Sequence, residues 1–325
     1  MLAGQPEVPS HLALCSKRPN LVCRMENIKP EYRFDQLLNF RDIGSTINEY
    51  TKTVSLKSGI FYRSARPDET SIADHAHLRR SLGIKTIIDL RSKTEHINAA
   101  KKHASFGSPP VLDSATIPPS NQNVSSTLHI HGISYAEINL NGGAFERSLL
   151  WRLKYASLGR LVWLMARGYR EDAIGILGRE VMQKRGLVGL GVDTLDYSTS
   201  EIRDVFNVLA DENKYPVMVH CTQGKDRTGL IVLLVLMLCG VGHDAIQEDY
   251  MRSEKELLVE KEERLREILR IGLSEDFAGC PEEFVKTVTK HVQETFGGIE
   301  KYLTNIGVDG EAQKRVRGSM AQISA

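Results

Sequence analysis

The chain has 325 residues, with 42 Lys or Arg against 41 Asp or Glu and a formal net charge of +1. That length can bury a sizeable core as one large or two small domains, and the balanced charge argues against a surface built to hold nucleic acid. Cys15, Cys23, Cys221, Cys239 and Cys280 are scattered without metal-ligand spacing. Reduced thiols are therefore expected, with no metal or cofactor. No apolar run is long enough to span a bilayer and the first thirty residues lack a signal-peptide core, so the expected compartment is cytoplasmic.

Residues 1–33 contain Pro6, Pro9, Pro19 and Pro30 with little periodicity and read as a poorly ordered tail ahead of a single domain over residues 34–325. Lys17, Arg18 and Arg24 are too few to argue for a membrane contact there. Asn39 to Gly44 and Gly59 to Ala65 predict two short strands separated by turn residues. Ser71 to Leu82 predicts a helix stopped by Gly83, and Thr86 to Leu90 a buried strand. The alternation points to an α/β fold: a central, mostly parallel sheet flanked by helices. Ligands bind at one rim of such a sheet, so Arg41, Asp42, Arg63, Asp89 and Arg91 either border the pocket or form an ion-pair network that holds a loop there, the network being preferred.

Residues 104–190 read as a variable insert. Its first part, to Thr127, carries Pro109-Pro110 and Pro118-Pro119 and predicts a long irregular loop. Ile133 to Leu140 predicts a strand, and Phe145 to Lys184 two or three helices with breaks at Gly168 and Gly175. Leu149, Leu150, Trp151, Leu153, Leu161, Val162, Trp163, Leu164 and Met165 are interleaved there with Arg147, Arg152, Arg160, Arg167 and Arg170. Core packing is the default for such a stripe, and a basic, apolar lid able to meet lipid headgroups is the sharper alternative. Ser200 to Ala210 predicts a helix burying Ile202, Val205, Phe206 and Leu209. The chain after Gly240 reads as helical, with Glu260–Arg264 and Glu262–Arg266 at i,i+4 spacing, a helix start near Pro281, a break at Gly297-Gly298 and a short helix from Ile299 to Gly307.

The most informative stretch runs Val217-Met-Val-His-Cys-Thr-Gln-Gly-Lys-Asp-Arg-Thr-Gly229 and is followed by an aliphatic run, Leu230 to Leu238. The order predicts strand, tight loop and buried helix. A loop entering a helix N-terminus presents unpaired backbone N–H groups at the positive end of the dipole, which suits a phosphate. The same field stabilises a thiolate at Cys221, and Arg227 adds a planar fork for two phosphate oxygens. Thr222, Gln223, Gly224, Lys225, Asp226, Arg227 and Thr228 are thus the candidate phosphate-binding set, with Cys221 and Arg227 as the catalytic candidates.

This loop resembles the signature of the cysteine-dependent phosphatases, and with Gly224, Lys225 and Asp226 included it is most similar to the atypical tyrosine phosphatases of bacteria and fungi. The resemblance extends over most of Phe34 to Gly318, including Asn39 to Gly44 and Gly59 to Ala65, and is weaker between Ala104 and Ser200. It implies a phosphatase-like fold and attack by Cys221 on phosphorus to give a cysteinyl-phosphate. In that scheme Thr228 eases departure of the thiolate, and His220 orders the loop. Better-known relatives carry their acid on a Trp-Pro-Asp loop, which this chain lacks. The similar atypical enzymes imply Asp226 as acid and base; Asp193 or Asp196, ahead of the Ser200 helix, are the alternatives. Substrates implied are a phosphotyrosine protein or a phosphoinositide, with Lys225 as a candidate for a second inositol phosphate and peripheral membrane contact an open option. A non-catalytic phosphate-binding module and a rhodanese-like sulfur transferase are the competing classes.

Overall fold

The computed structural model describes residues 34–105 and 128–322. The predicted tail over residues 1–33 and nearly all of the predicted 104–127 loop lie outside the described residues.

The first strand, β1 (Arg41–Asp42), is much shorter than expected, because Asp42 ends it by capping helix α1 (Ile43–Thr51). The Asp42 carboxylate accepts the Ser45 N–H at 3.3 Å and the Ser45 hydroxyl at 2.7 Å, while the Gly59 N–H donates to it from the far side of the loop at 2.7 Å. Ile43 and Ile47 then fall on one buried face. Strand β2 (Phe61–Ser64) follows as predicted. Helix α2 (Ile72–Ala76) opens on a capping box between Ser71 and Asp74 and runs on as a π-turn over His77–Ser81. After β3 (Thr86–Asp89) comes α3 (Lys93–Ser105), a helix missed in the sequence; its start is a second capping box, Ser92-Lys93-Thr94-Glu95.

Strand β4 (Ser134–Glu137) leads into α4 (Gly143–Leu150), α5 (Tyr155–Ala166), α6 (Arg170–Leu177) and α7 (Gln183–Tyr197). Gly168 breaks the chain as predicted, with φ +82°. Gly175 lies inside α6 instead of ending it, and the kink falls at Gly186 within α7, where φ is +63°. Phe145, Leu149, Leu153, Leu161, Ala173, Ile176 and Val181 form a second apolar core between these helices. The stripe is therefore split: these residues are packed, while Trp151, Val162, Trp163 and Met165 stay exposed.

Helix α8 (Thr199–Leu209) buries all four predicted residues, and β5 (Val217–His220) feeds the loop that enters α9 (Asp226–Leu238). Helices α10 (His243–Glu256), α11 (Lys261–Arg270), α12 (Glu283–Phe296), α13 (Ile299–Asn305) and α14 (Gly310–Met320) complete the chain. The expected i,i+4 pairs on α11 are not formed. Glu260 reaches across to Arg66 at 3.1 Å and Arg264 pairs with Glu267 at 2.9 Å, since long surface side chains take whichever partner tertiary contact brings near.

The sheet order is β1-β2-β5-β3-β4, parallel except for the β1–β2 pair. Strand β5 is central, and its last residue, His220, stands in register with Ser64 on one neighbour and Asp89 on the other. The signature loop therefore leaves from the carboxyl rim of the sheet, where ligands bind in such folds. Helix α9 is buried from Thr228 through Leu236, so at about 1.5–3 kcal/mol per large apolar side chain it anchors the loop's far end in the main core. The described residues from Phe34 on belong to one compact unit, and none of their helices is long and apolar enough to cross a membrane.

Candidate active site

Four successive carbonyls of the loop are tied to the surrounding scaffold. The Cys221 oxygen accepts from His220 Nδ1 at 3.0 Å, and the Thr222 oxygen from the Arg66 N–H at 3.0 Å. Asn39 Nδ2 donates to the oxygens of Gln223 and Gly224 at 2.9 and 3.1 Å, and Arg63 Nη2 also donates to the Gly224 oxygen at 2.6 Å. In a trans peptide the N–H points opposite the C=O, so the amides of Thr222, Gln223, Gly224 and Lys225 are turned away from the scaffold. Such a row of N–H groups makes an anion-binding nest. Gly224 is required for this turn: its φ is +65°, and a Cβ there would sit 2.0 Å from the Ser64 carbonyl oxygen.

Arg227, on the first turn of α9, is held by Glu95. Its Nη1 and Nη2 reach the two carboxylate oxygens at 2.8 and 2.6 Å, and Nη1 also donates to the Leu90 carbonyl at 3.2 Å. Among the described residues this leaves the Nε–H and the second Nη2 hydrogen of the guanidinium without an acceptor, a fork suited to two oxygens of a phosphate. Glu95 also accepts the Thr222 hydroxyl and so links both ends of the loop to the start of α3. Burial works to raise the Glu95 carboxyl, but the Arg227 charge and hydrogen bonds outweigh it and hold the group well below the usual carboxylate range. Cys221 is 3 % exposed at the base of the loop. The Thr228 hydroxyl is buried without a hydrogen-bond partner among the described residues.

The charged residues at the rim form two buried networks. Asp249 takes Arg41 Nε at 2.7 Å and Arg63 Nη1 at 2.5 Å, and Arg41 Nη1 orients the Asn39 side-chain oxygen, also at 2.5 Å. Burial lowers Arg41 to about 10 despite the Asp249 charge. On the other side Asp89 accepts from Arg91 at 2.7 Å and His96 at 3.0 Å, and Arg91 also pairs with Asp68. His220 Nε2 lies 3.4 Å from Asp89, yet burial dominates and lowers the His220 pKa. Since Nδ1 must donate to the Cys221 carbonyl, His220 is a fixed strut beneath Cys221. Arg41 and Arg63 thus belong to one buried ion-pair network and Asp89 and Arg91 to the other, whereas Asp42 is a helix cap. Asn39, Asp68, Glu95 and Asp249 were not among the predicted site residues; only the Ser92-x-x-Glu95 capping pattern was a local signal for any of them.

The acid candidates occupy different environments. Asp193 and Asp196 lie within α7, not on a loop. Asp193 is buried with both oxygens bridged by Arg152 and Arg185 at 2.7–2.9 Å, and Asp196 accepts from His291 on α12 at 2.7 Å. Asp226 sits in the first turn of α9, with Oδ1 buried, 3.5 Å from Lys225 Nζ and without a hydrogen bond among the described residues. Lys225 departs from the expectation of a second phosphate ligand. Its side chain is fully buried, and Nζ donates to the carbonyls of Phe277, Ala278 and Gly279 at 3.2, 3.2 and 2.7 Å, using all three hydrogens. Only its backbone N–H remains for a loop-bound anion. That packing could not be read from the sequence, because the partner carbonyls lie about 50 residues away with no side-chain signal.

A sequence profile described as the tyrosine phosphatase family matches residues 32–322. The chain is 25 % identical over 296 residues to the triple specificity protein phosphatase PtpB of Mycobacterium tuberculosis, covering 86 % of this chain and 95 % of that one. It is 36 % identical over 100 residues to a tyrosine-protein phosphatase of Nostoc commune, a match spanning 28 % of this chain and 34 % of the relative. With a loop of turned-in amides, a buried cysteine and a braced arginine at the sheet rim, and a match over nearly its whole described length, the chain belongs to the tyrosine phosphatase family and is a protein-tyrosine-phosphatase hydrolase.

Proposed function

We propose that the chain hydrolyses phosphotyrosine in proteins through a cysteinyl-phosphate on Cys221. The Cys221 thiolate attacks phosphorus in line with the tyrosyl oxygen, the P–O bond breaks, and Asp226 gives its proton to the departing phenolate. Water then attacks phosphorus, Asp226 takes back a proton, and the Cys221 thiolate leaves with the Thr228 hydroxyl donating to it. Throughout, the amides of residues 222–225 and the free fork of Arg227 hold the three non-bridging oxygens. The observation that carries this reading is the outward anchoring of four consecutive loop carbonyls, which serves no purpose for a buried structural cysteine. Asp226 is favoured as acid because Asp193 is bridged by two arginines and Asp196 is hydrogen-bonded to His291 at 2.7 Å, whereas Asp226 has only the looser 3.5 Å approach of Lys225 Nζ.

A reducing, cytoplasmic setting suits such a thiol, and Cys221, Cys239 and Cys280 are free. The engagement of Lys225 removes the specific ground for a phosphoinositide preference. Acid quench of a turnover with a radiolabelled phosphotyrosine peptide tests the scheme. Label should appear on Cys221, survive longer in Asp226→Asn, and be absent from Cys221→Ser; turnover without a trapped cysteinyl-phosphate overturns it.

A further inference from the structure

Helix α5 carries a surface that, among the described residues, neither the fold nor the site uses. Its inner side, through Leu161, is packed against α4 and α6. Its outer side remains apolar: Tyr155 is 94 % and Trp163 52 % exposed, with Val162 beside them and Trp151 at 85 % just ahead of the helix. Tyr155, Val162 and Ala166 recur at i, i+7 and i+11, with Trp163 adjoining them, so they form one continuous outward stripe. An exposed Trp, Tyr and Val row on a helix already anchored from behind is the pattern of a docking face.

Charge says what covers it. Between Arg147 and Tyr169 the sequence has no Asp or Glu, in a chain whose total balances to +1. Arg160 and Arg167, seven apart, line one edge of the stripe, Lys154 stands at the other, and Arg147 lies on the preceding helix. None of these four has a carboxylate partner among the described residues, unlike Arg152, which Asp193 neutralises. Arg167 lies over the Trp163 ring at 4.7 Å, holding the cation against the aromatic face. A half-exposed aromatic stripe rimmed by unpaired cations matches a bilayer interface: rings seat at headgroup depth while cations meet lipid phosphates.

We propose that α5 docks this phosphatase onto bilayers carrying anionic lipids. The inference concerns location, not chemistry, and holds whichever substrate the signature loop takes.

Trp151 and Trp163 are the chain's only two tryptophans, so intrinsic emission of the full-length protein reports on this face directly. Mixing with phosphatidylcholine vesicles doped with phosphatidylserine should shift emission to the blue and sediment the protein with the vesicles. Pure phosphatidylcholine and high salt should both abolish this. Arg160→Ser with Arg167→Ser should weaken vesicle partitioning about tenfold or more. Val162→Ser should weaken it too, and neither variant should change turnover of a small soluble aryl phosphate. Equal binding to neutral vesicles, or none to anionic ones, overturns the proposal. So does a blue shift driven by protein concentration alone, which would report a second copy, or by vanadate alone, which would report closure onto the chain's own site.

Discussion

Glu95 grips Arg227 by both carboxylate oxygens, at 2.8 and 2.6 Å, across 132 residues of sequence. Because Glu95 is also the third residue of α3 and bonds Ser92, the rigid start of that helix sets the direction of the guanidinium before any phosphate arrives. Preset geometry of this kind lowers the barrier without costing reorganisation during the reaction.

Glu95→Gln should therefore cut kcat about ten- to a hundredfold, with a smaller effect on KM, and Glu95→Asp should recover little, since its shorter arm cannot span both nitrogens. The Glu95 carboxyl titrates below its unfolded value, so its contribution to stability is fully present above about pH 4.3 and is lost only as acid carries pH down through the folded value. The difference in melting temperature between wild type and Glu95→Gln, followed against pH, should stay constant from neutral to mildly acid and close only in strong acid. Closure near pH 6 would show that the pair does not hold the carboxylate as described.

Asp226→Asn should slow hydrolysis of an alkyl-like or unactivated aryl phosphate by about a hundredfold or more while sparing an activated nitrophenyl ester, because proton donation matters most for a poor leaving group. Asp193→Asn, by contrast, leaves Arg152 and Arg185 facing an amide in a buried site and should lower the melting temperature without that leaving-group dependence. Linear free-energy plots of the two variants distinguish the roles; leaving-group sensitivity in Asp193→Asn alone would reverse the assignment.

Lys225→Met should remove three hydrogen bonds to buried carbonyls and destabilise the fold by about 1–3 kcal/mol, with activity on phosphotyrosine peptides and on phosphoinositides falling by the same factor. The two losses can be compared in parallel assays. A disproportionate loss on the lipid would mean the ammonium leaves the Phe277 to Gly279 carbonyls when substrate binds.

Asn39→Ala frees the oxygen of Gln223, leaves that of Gly224 to Arg63 alone, and should reduce kcat about tenfold through a loosened loop, whereas Asn39→Asp offers no donor and should do no better. Gly224→Ala is the harsher change, as its methyl would meet the β2 backbone, and it should abolish both vanadate binding and turnover. Retained vanadate affinity in either variant, measured by calorimetry, would show that the loop keeps its shape without these supports.

What the sequence determined by itself was whatever is written in contiguous residues. The loop from His220 to Gly229 carries Cys221, the Gly224 turn and Arg227 within a few positions. Helix α8 shows its buried face by period, and β3 and β5 show their strands by short β-branched runs. Helices α1 and α3 were also written locally, in the caps at Asp42 and Ser92, but α3 is polar with little periodicity and α1 is too short to show more than Ile43 and Ile47 on its buried face. Tertiary structure alone decided the rest. Asn39 meets the loop across 184 residues, Arg63 and Arg41 converge on Asp249, Lys225 turns into the 277–279 carbonyls, and Asp193 is consumed by two arginines. A charge or amide has several partners of equal chemistry along the chain, and which one it takes depends on the few ångströms that only folding sets.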